Sequence, residues 1–222
     1  MPKPIVVCGV DFSGTSLLAG ILHTAGVDMG DVESAADVLA QPDRPMRYRL
    51  FEDRSLQDTT QPIASGIMEA PHHIDLWLND LFHCFQRYLR YREEKARGTR
   101  WGVKQNLLTL LTLHPDWHTL DVDWITTRRP FAHSFQSARE KLGSDPRLAA
   151  FLGVQYLAWT RLQGIDMMDY PEIMRGNLWP IEDILTTRGL PYNFEMLYAQ
   201  IDPHHGGRIP WPQHGLPLQV SP

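Results

Sequence analysis

The chain has no run of 18 apolar residues, so nothing in it reads as a membrane span. It is poor in cysteine, with Cys8 in a strand candidate and Cys84 in a helical pattern. That excludes a disulfide scaffold and predicts two buried free thiols in a reducing cytosol. The opening "MPKPIVVCGV" carries an apolar run too short for a secretory leader and no small-residue cleavage site. Basic charge is not in excess: 21 Lys and Arg against 26 Asp and Glu give a net charge of −5, which argues against a nucleic-acid face but allows a local basic pocket for a small anion. These absences predict a cytoplasmic protein with neither nucleic acid nor membrane as partner.

What is present is the composition of a globular domain, 43% hydrophobic and 21% charged over 222 residues. Residues 4–10 read as a strand covered on both faces, followed by a helix over 15–25 that stops at Gly26. Residues 28–56 read as loop with short helices. Residues 74–92 form the clearest amphipathic helix, with Leu78, Leu81, Phe82, Phe85 and Leu89 on one stripe, a candidate face for a homodimer. Strands are expected over 100–106, 122–130 and 164–171, with Pro130 opening a helix. Helices are expected over 131–142, 146–163, 179–188 and 193–200. Strands alternating with helices predict one α/β domain over 1–222, a mainly parallel sheet flanked by helices. Within it 28–99 is a helical and irregular insertion, and 202–222 an irregular tail rich in Pro and Gly.

The segment "GVDFSGTS" (9–16) has the G-x-x-x-x-G spacing of a phosphate loop, but Thr15 stands where a nucleoside triphosphatase carries lysine. Glycines let backbone amides turn inward, and free N–H groups at the helix start add partial positive charge. Without the lysine, the loop suits a single phosphate near a leaving group rather than γ-phosphate chemistry. A strand-to-helix turn that binds nothing is the other reading of the loop taken alone.

The stretch "SGTSLLAGILHTAGVDMGD" (13–31) resembles the opening of sulfotransferases that use 3′-phosphoadenosine 5′-phosphosulfate, notably the bacterial and carbohydrate-type branch. The resemblance continues in "RYRLFEDRSL" (47–56), "WGVKQN" (101–106), "WITTRRPFAHSFQSARE" (124–140) and "DYPEIMRGNLWPIEDILTTRGLP" (169–191), in the family's order over most of the chain. It implies a phosphate-loop three-layer fold, that sulfonucleotide as co-substrate, no metal, and a small-molecule or carbohydrate acceptor. Asp11, Phe12, Ser13, Gly14, Thr15 and Ser16 would hold the leaving phosphate. Arg128 and Arg129 with Ser137 would hold the 3′-phosphate. Arg129 has the family's eight-residue spacing to Ser137, and Arg128 its Arg-x-Pro relation to Pro130.

Lys104 matches the family's strand lysine near the sulfuryl group. Asp31 and Glu52 are the candidate bases; Glu52 lies beside apolar residues, where a carboxyl pKa rises. Two departures stand out. Phe12 replaces the usual Lys or Arg before the serine, and losing such a donor costs on the order of a hundredfold in rate. Asn106 stands where cytosolic members place a catalytic histidine. A non-catalytic nucleotide-binding protein and a small-molecule kinase are the rival readings. The histidine pairs 72–73, 204–205 and 114/118 lack the spacing and partners of a tetrahedral metal set.

Overall fold

The computed structural model describes residues 2–32, 51–162 and 164–205. Four short strands build one sheet: β1 (Ile5–Cys8), β2 (Gly102–Lys104), β3 (Asp123–Arg128) and β4 (Asp166–Asp169). Their order is β2-β1-β3-β4 and each neighbouring pair is parallel. Parallel strands need crossovers, and the crossovers lay helices on both faces, so the successive side chains of β1 are all apolar. Val6 and Cys8 point into one core with Val103 and Trp124; Ile5 and Val7 point into the other with Ile125 and Met168.

Helices α1 (Thr15–Thr24), α7 (Trp179–Thr187) and α8 (Phe194–His205) cover the second core. Helices α2 (Arg54–Glu69), α3 (Ile74–Ala96) and α5 (Pro146–Trp159), with a 3-10 stretch over Asn106–Leu113, cover the first. Helix α4 (Phe131–Leu142) and the short α6 (Tyr170–Met174) complete the set among the described residues. The α/β class with a parallel sheet between helical layers is what the alternation of elements predicts.

Several expectations need correction. Residues 54–56 begin helix α2, which runs to Glu69 through Pro62, and are not loop. Pro130 is the N-cap of α4 and not its first residue. A short helix, α6, follows β4 directly. The tail is not irregular from 202, since α8 continues to His205; residues 206–222, like 33–50, lie outside the described residues. The apolar stripe of α3 is no free dimer face: Leu78, Leu81, Phe82 and Phe85 are buried in the chain's own core.

Strand β1 has β2 on one side and β3 on the other, so the order reverses beside it. The carboxyl end of β1 is the position where open parallel sheets bind ligands.

Candidate functional site

The loop Gly9–Ser16 leaves the carboxyl end of β1 and enters α1 through Gly14, a left-handed N-cap at φ 100° with no capping side chain. Gly14 is required twice over: the φ disfavours any L side chain, and a Cβ would drive into the Tyr170 ring. Phe12 is also left-handed, at φ 65°, a strained setting for a bulky residue. Its ring is turned onto Val10, Ala138 and Leu152, and the Lys141 ammonium stands 5.4 Å from the ring centre.

Side chains from several elements tie this turn down. Thr109 grips Gly9 from both sides, accepting from its N–H at 2.8 Å and donating to its carbonyl at 2.9 Å. Gln155 of α5 accepts from the Asp11 amide at 3.0 Å and donates to its carboxylate at 3.4 Å. The Ser13 and Thr127 hydroxyls share a hydrogen bond of 2.6 Å. Asn106 donates to Asp11 Oδ1 at 2.6 Å and accepts from Thr15 Oγ1 at 2.8 Å. Arg129 donates to the Phe12 carbonyl at 2.8 Å, with its guanidinium 5.2 Å from the Tyr170 ring centre. Burial pushes the Tyr170 phenol up, against the opposing pull of that cation.

No family model and no curated protein sequence matches the chain. Solved structures do. It is similar to sulfotransferase STF1 from Mycobacterium tuberculosis H37Rv at a TM-score of 0.51 and 18% identity, covering 90% of this chain and 71% of that one. It is similar to the sulfotransferase domain of the Synechococcus PCC 7002 olefin synthase at a TM-score of 0.50 and 16% identity, covering 90% and 78%. The fold is that of the sulfotransferases.

Within this sulfotransferase fold the sequence candidates fall into two groups. Lys104 ends β2 beside Val7, on the face that α1 covers, and its Nζ lies 2.8 Å from Glu52 Oε1. Both side chains are almost fully buried, at 2% and 3% exposure. Glu52 is therefore not an isolated acid among apolar residues, as its neighbours in sequence suggest, but half of a buried ion pair. Asp31 reaches this segment through its backbone and not its carboxylate: its amide donates to Asp53, the residue after Glu52, at 3.0 Å, while its exposed carboxylate lies 3.7 Å from Arg54. Phe51, immediately before Glu52, is left-handed at φ 57°. Strain in the loop and in the Glu52 segment marks both as places where packing overrides backbone preference.

The second group lies past β3. Arg129 is half-buried against the loop, whereas the Arg128 side chain is 63% exposed and pairs with Asp169 at 3.7 Å. Ser137 is half-buried on α4, and one turn earlier Ser134 Oγ is buried with no hydrogen-bond partner among the described residues.

Sequence reasoning missed Thr109, Thr127, Gln155, Lys141 and Tyr170. No local pattern marks them: Gln155 lies 144 residues from the loop residue it holds. The histidines form no metal centre among the described residues. His114 instead stacks on Phe82 at 4.2 Å and bonds Asn79 at 3.0 Å.

Proposed function

We propose that this protein is a sulfotransferase that moves a sulfuryl group from 3′-phosphoadenosine 5′-phosphosulfate to a hydroxyl or amine of a small-molecule or carbohydrate acceptor. The observation that carries the reading is the uncapped glycine turn at the reversal point of a sulfotransferase-fold sheet, with the Lys104–Glu52 pair on the adjoining strand. The donor's two anionic ends have groups that fit them. Asp11, Phe12, Ser13, Gly14, Thr15 and Ser16 form the turn, whose first-turn amides take the leaving phosphate. The Ser134 hydroxyl, buried and unpartnered among the described residues, supports an anion site on α4, where Arg129 and Ser137 hold the 3′-phosphate and Arg128 adds charge at the rim. No metal enters, since the loop lacks the triphosphatase lysine.

Sulfuryl transfer breaks the bond from sulfur to the phosphate oxygen and forms one from sulfur to the acceptor atom, which loses a proton. Lys104 neutralises the sulfuryl oxygens, and amides oriented in advance do the same for the leaving phosphate. Glu52 takes the proton. Of the two carboxylates it is the one that touches Lys104, so a group held by that ammonium is within its reach. As Lys104 turns toward the sulfuryl oxygens its pair with Glu52 opens, and the carboxylate oxygens are released to take the acceptor's proton. Asp31 stands at the exposed rim, on the acceptor side formed by residues 28–32 and 51–99; the rest of the 28–99 insertion lies outside the described residues. Both cysteines are buried free thiols, Cys8 with its pKa pushed up to about 12 by burial, which suits a cytoplasmic setting.

The test is release of 3′-phosphoadenosine 5′-phosphate while sugars, phenols, alcohols and amines are screened as acceptors. Acceptor-dependent release is expected, lowered roughly a hundredfold or more by Glu52→Gln at a temperature where that variant is folded. Asp31→Asn is expected to cost less than about tenfold, as a rim residue does. Equal loss in the two variants would remove Glu52 as the base. Tight binding of the bisphosphate with no release from any acceptor would replace the enzyme by a nucleotide-binding protein of the same fold.

A further inference from the structure

Asn106 occupies the place where a base is sought, yet both ends of its amide are committed to the loop. Its Oδ1 accepts from Thr15 and its Nδ2 donates to Asp11, and the side chain is 4% exposed. The orientation of the amide is dictated by chemistry. An ionised carboxylate only accepts, so the NH₂ group must face Asp11 and the oxygen must face Thr15. Asp11 and Thr15 are the two feet of the turn that passes through left-handed Phe12 and Gly14. One side chain at the start of the 3-10 stretch that follows β2 thus spans the mouth of the turn, while Gln155 steadies Asp11 from α5.

We infer that Asn106 is a positioning residue for the oxyanion site: it clamps the feet of the turn together, so that the amides entering α1 converge before any ligand arrives. This rests on reading the turn as the donor site, but it concerns the unliganded chain and is measurable there. One consequence is chemical. The Thr15 hydroxyl proton is spent on Asn106, so Thr15 meets a phosphate through its backbone N–H and not through its side chain. A second is that Asp11, which sits where it would repel an anion, is held by amide donors at the foot of the turn.

The bonds also specify a reciprocal exchange. Asp11→Asn combined with Asn106→Asp keeps every hydrogen bond of the clamp and the total charge. The new carboxylate accepts from Thr15 and from the new amide, and that amide's oxygen still accepts from Gln155. Of the single changes, Asn106→Asp breaks the clamp by setting two carboxylates face to face, whereas Asp11→Asn keeps an oxygen that can accept from the Asn106 amide.

The experiment is amide hydrogen exchange on the full unliganded chain. It is read at Ser13 and Leu17, whose N–H groups close the turn on the Val10 and Gly14 carbonyls, with Ala25 and Val27 at the far end of α1 as controls. Asn106→Ala and Asn106→Asp are expected to speed exchange at Ser13 and Leu17 roughly ten- to a hundredfold and leave the controls unchanged, while the reciprocal pair restores wild-type rates. Binding of 3′-phosphoadenosine 5′-phosphate should follow the same order, weak in the two Asn106 variants and recovered in the pair. Wild-type exchange at the turn in either Asn106 variant, or a folded pair that fails to recover, overturns the clamp. If the wild type binds no bisphosphate while the exchange pattern holds, the donor assignment falls and the clamp on the turn stands.

Discussion

Lys104 and Glu52 form an ion pair out of reach of water, so loss of either one alone takes a buried charge-assisted bond from the other. Glu52→Gln takes this carboxylate away from a buried ammonium and is expected to cost about 3–5 kcal/mol, read from denaturant unfolding. Glu52→Gln with Lys104→Met removes both charges and should recover most of that loss. A single-variant cost under about 1 kcal/mol, the range of solvated surface pairs, would contradict the buried pairing. Each member was legible by itself, Lys104 in "WGVKQN" and Glu52 in "LFED", as the strand lysine and a candidate acid. Their pairing was not, because 52 residues separate them and nothing local in either stretch refers to the other. Asn106 shows the same limit: its identity ruled out a histidine base, but only the folded loop reveals the two bonds that use it.

Elements were legible where pattern and punctuation agree. Gly143 and Pro146 bracket the boundary between α4 and α5, and 131–142 is a helix with the expected bounds. Helix α2 escaped because its signals conflict: Pro62 reads as a breaker, and the start lies in a polar stretch. Asp53 resolves that conflict. Its carboxylate accepts from the amides of Ser55 and Leu56, from the Ser55 hydroxyl at 2.5 Å, and from the Asp31 amide. It caps the helix and also fixes Asp31 beside Glu52. Asp53→Ala is expected to destabilise by about 2 kcal/mol, the upper end for a lost N-cap, with Asp53→Asn recovering part. A change below about 0.5 kcal/mol in thermal or denaturant unfolding would show that the cap does not anchor α2. The 3-10 stretch over Asn106–Leu113 had no signal of this kind, since a run of leucines and threonines fits helix and strand equally.

For the whole molecule, alternation of strands and helices announced a parallel sheet, but strand order depends on contacts between distant segments and was not readable. That order matters most for function, because placing β1 between β2 and β3 puts the loop at the reversal point and brings Lys104, Asn106, Thr127 and Arg129 around it. Phe12 does not plug the turn, since its ring packs toward α4 and α5, and Arg129 lies against the loop. The most direct measurement of the central claim is thermal unfolding with 3′-phosphoadenosine 5′-phosphate in magnesium-free buffer, set against ATP with magnesium. At a hundredfold excess over its Kd the bisphosphate should stabilise the fold by about 2.7 kcal/mol, and Arg128→Ala with Arg129→Ala should abolish that gain. Stabilisation by ATP and magnesium but not by the bisphosphate, or a gain that survives loss of both arginines, would contradict the account.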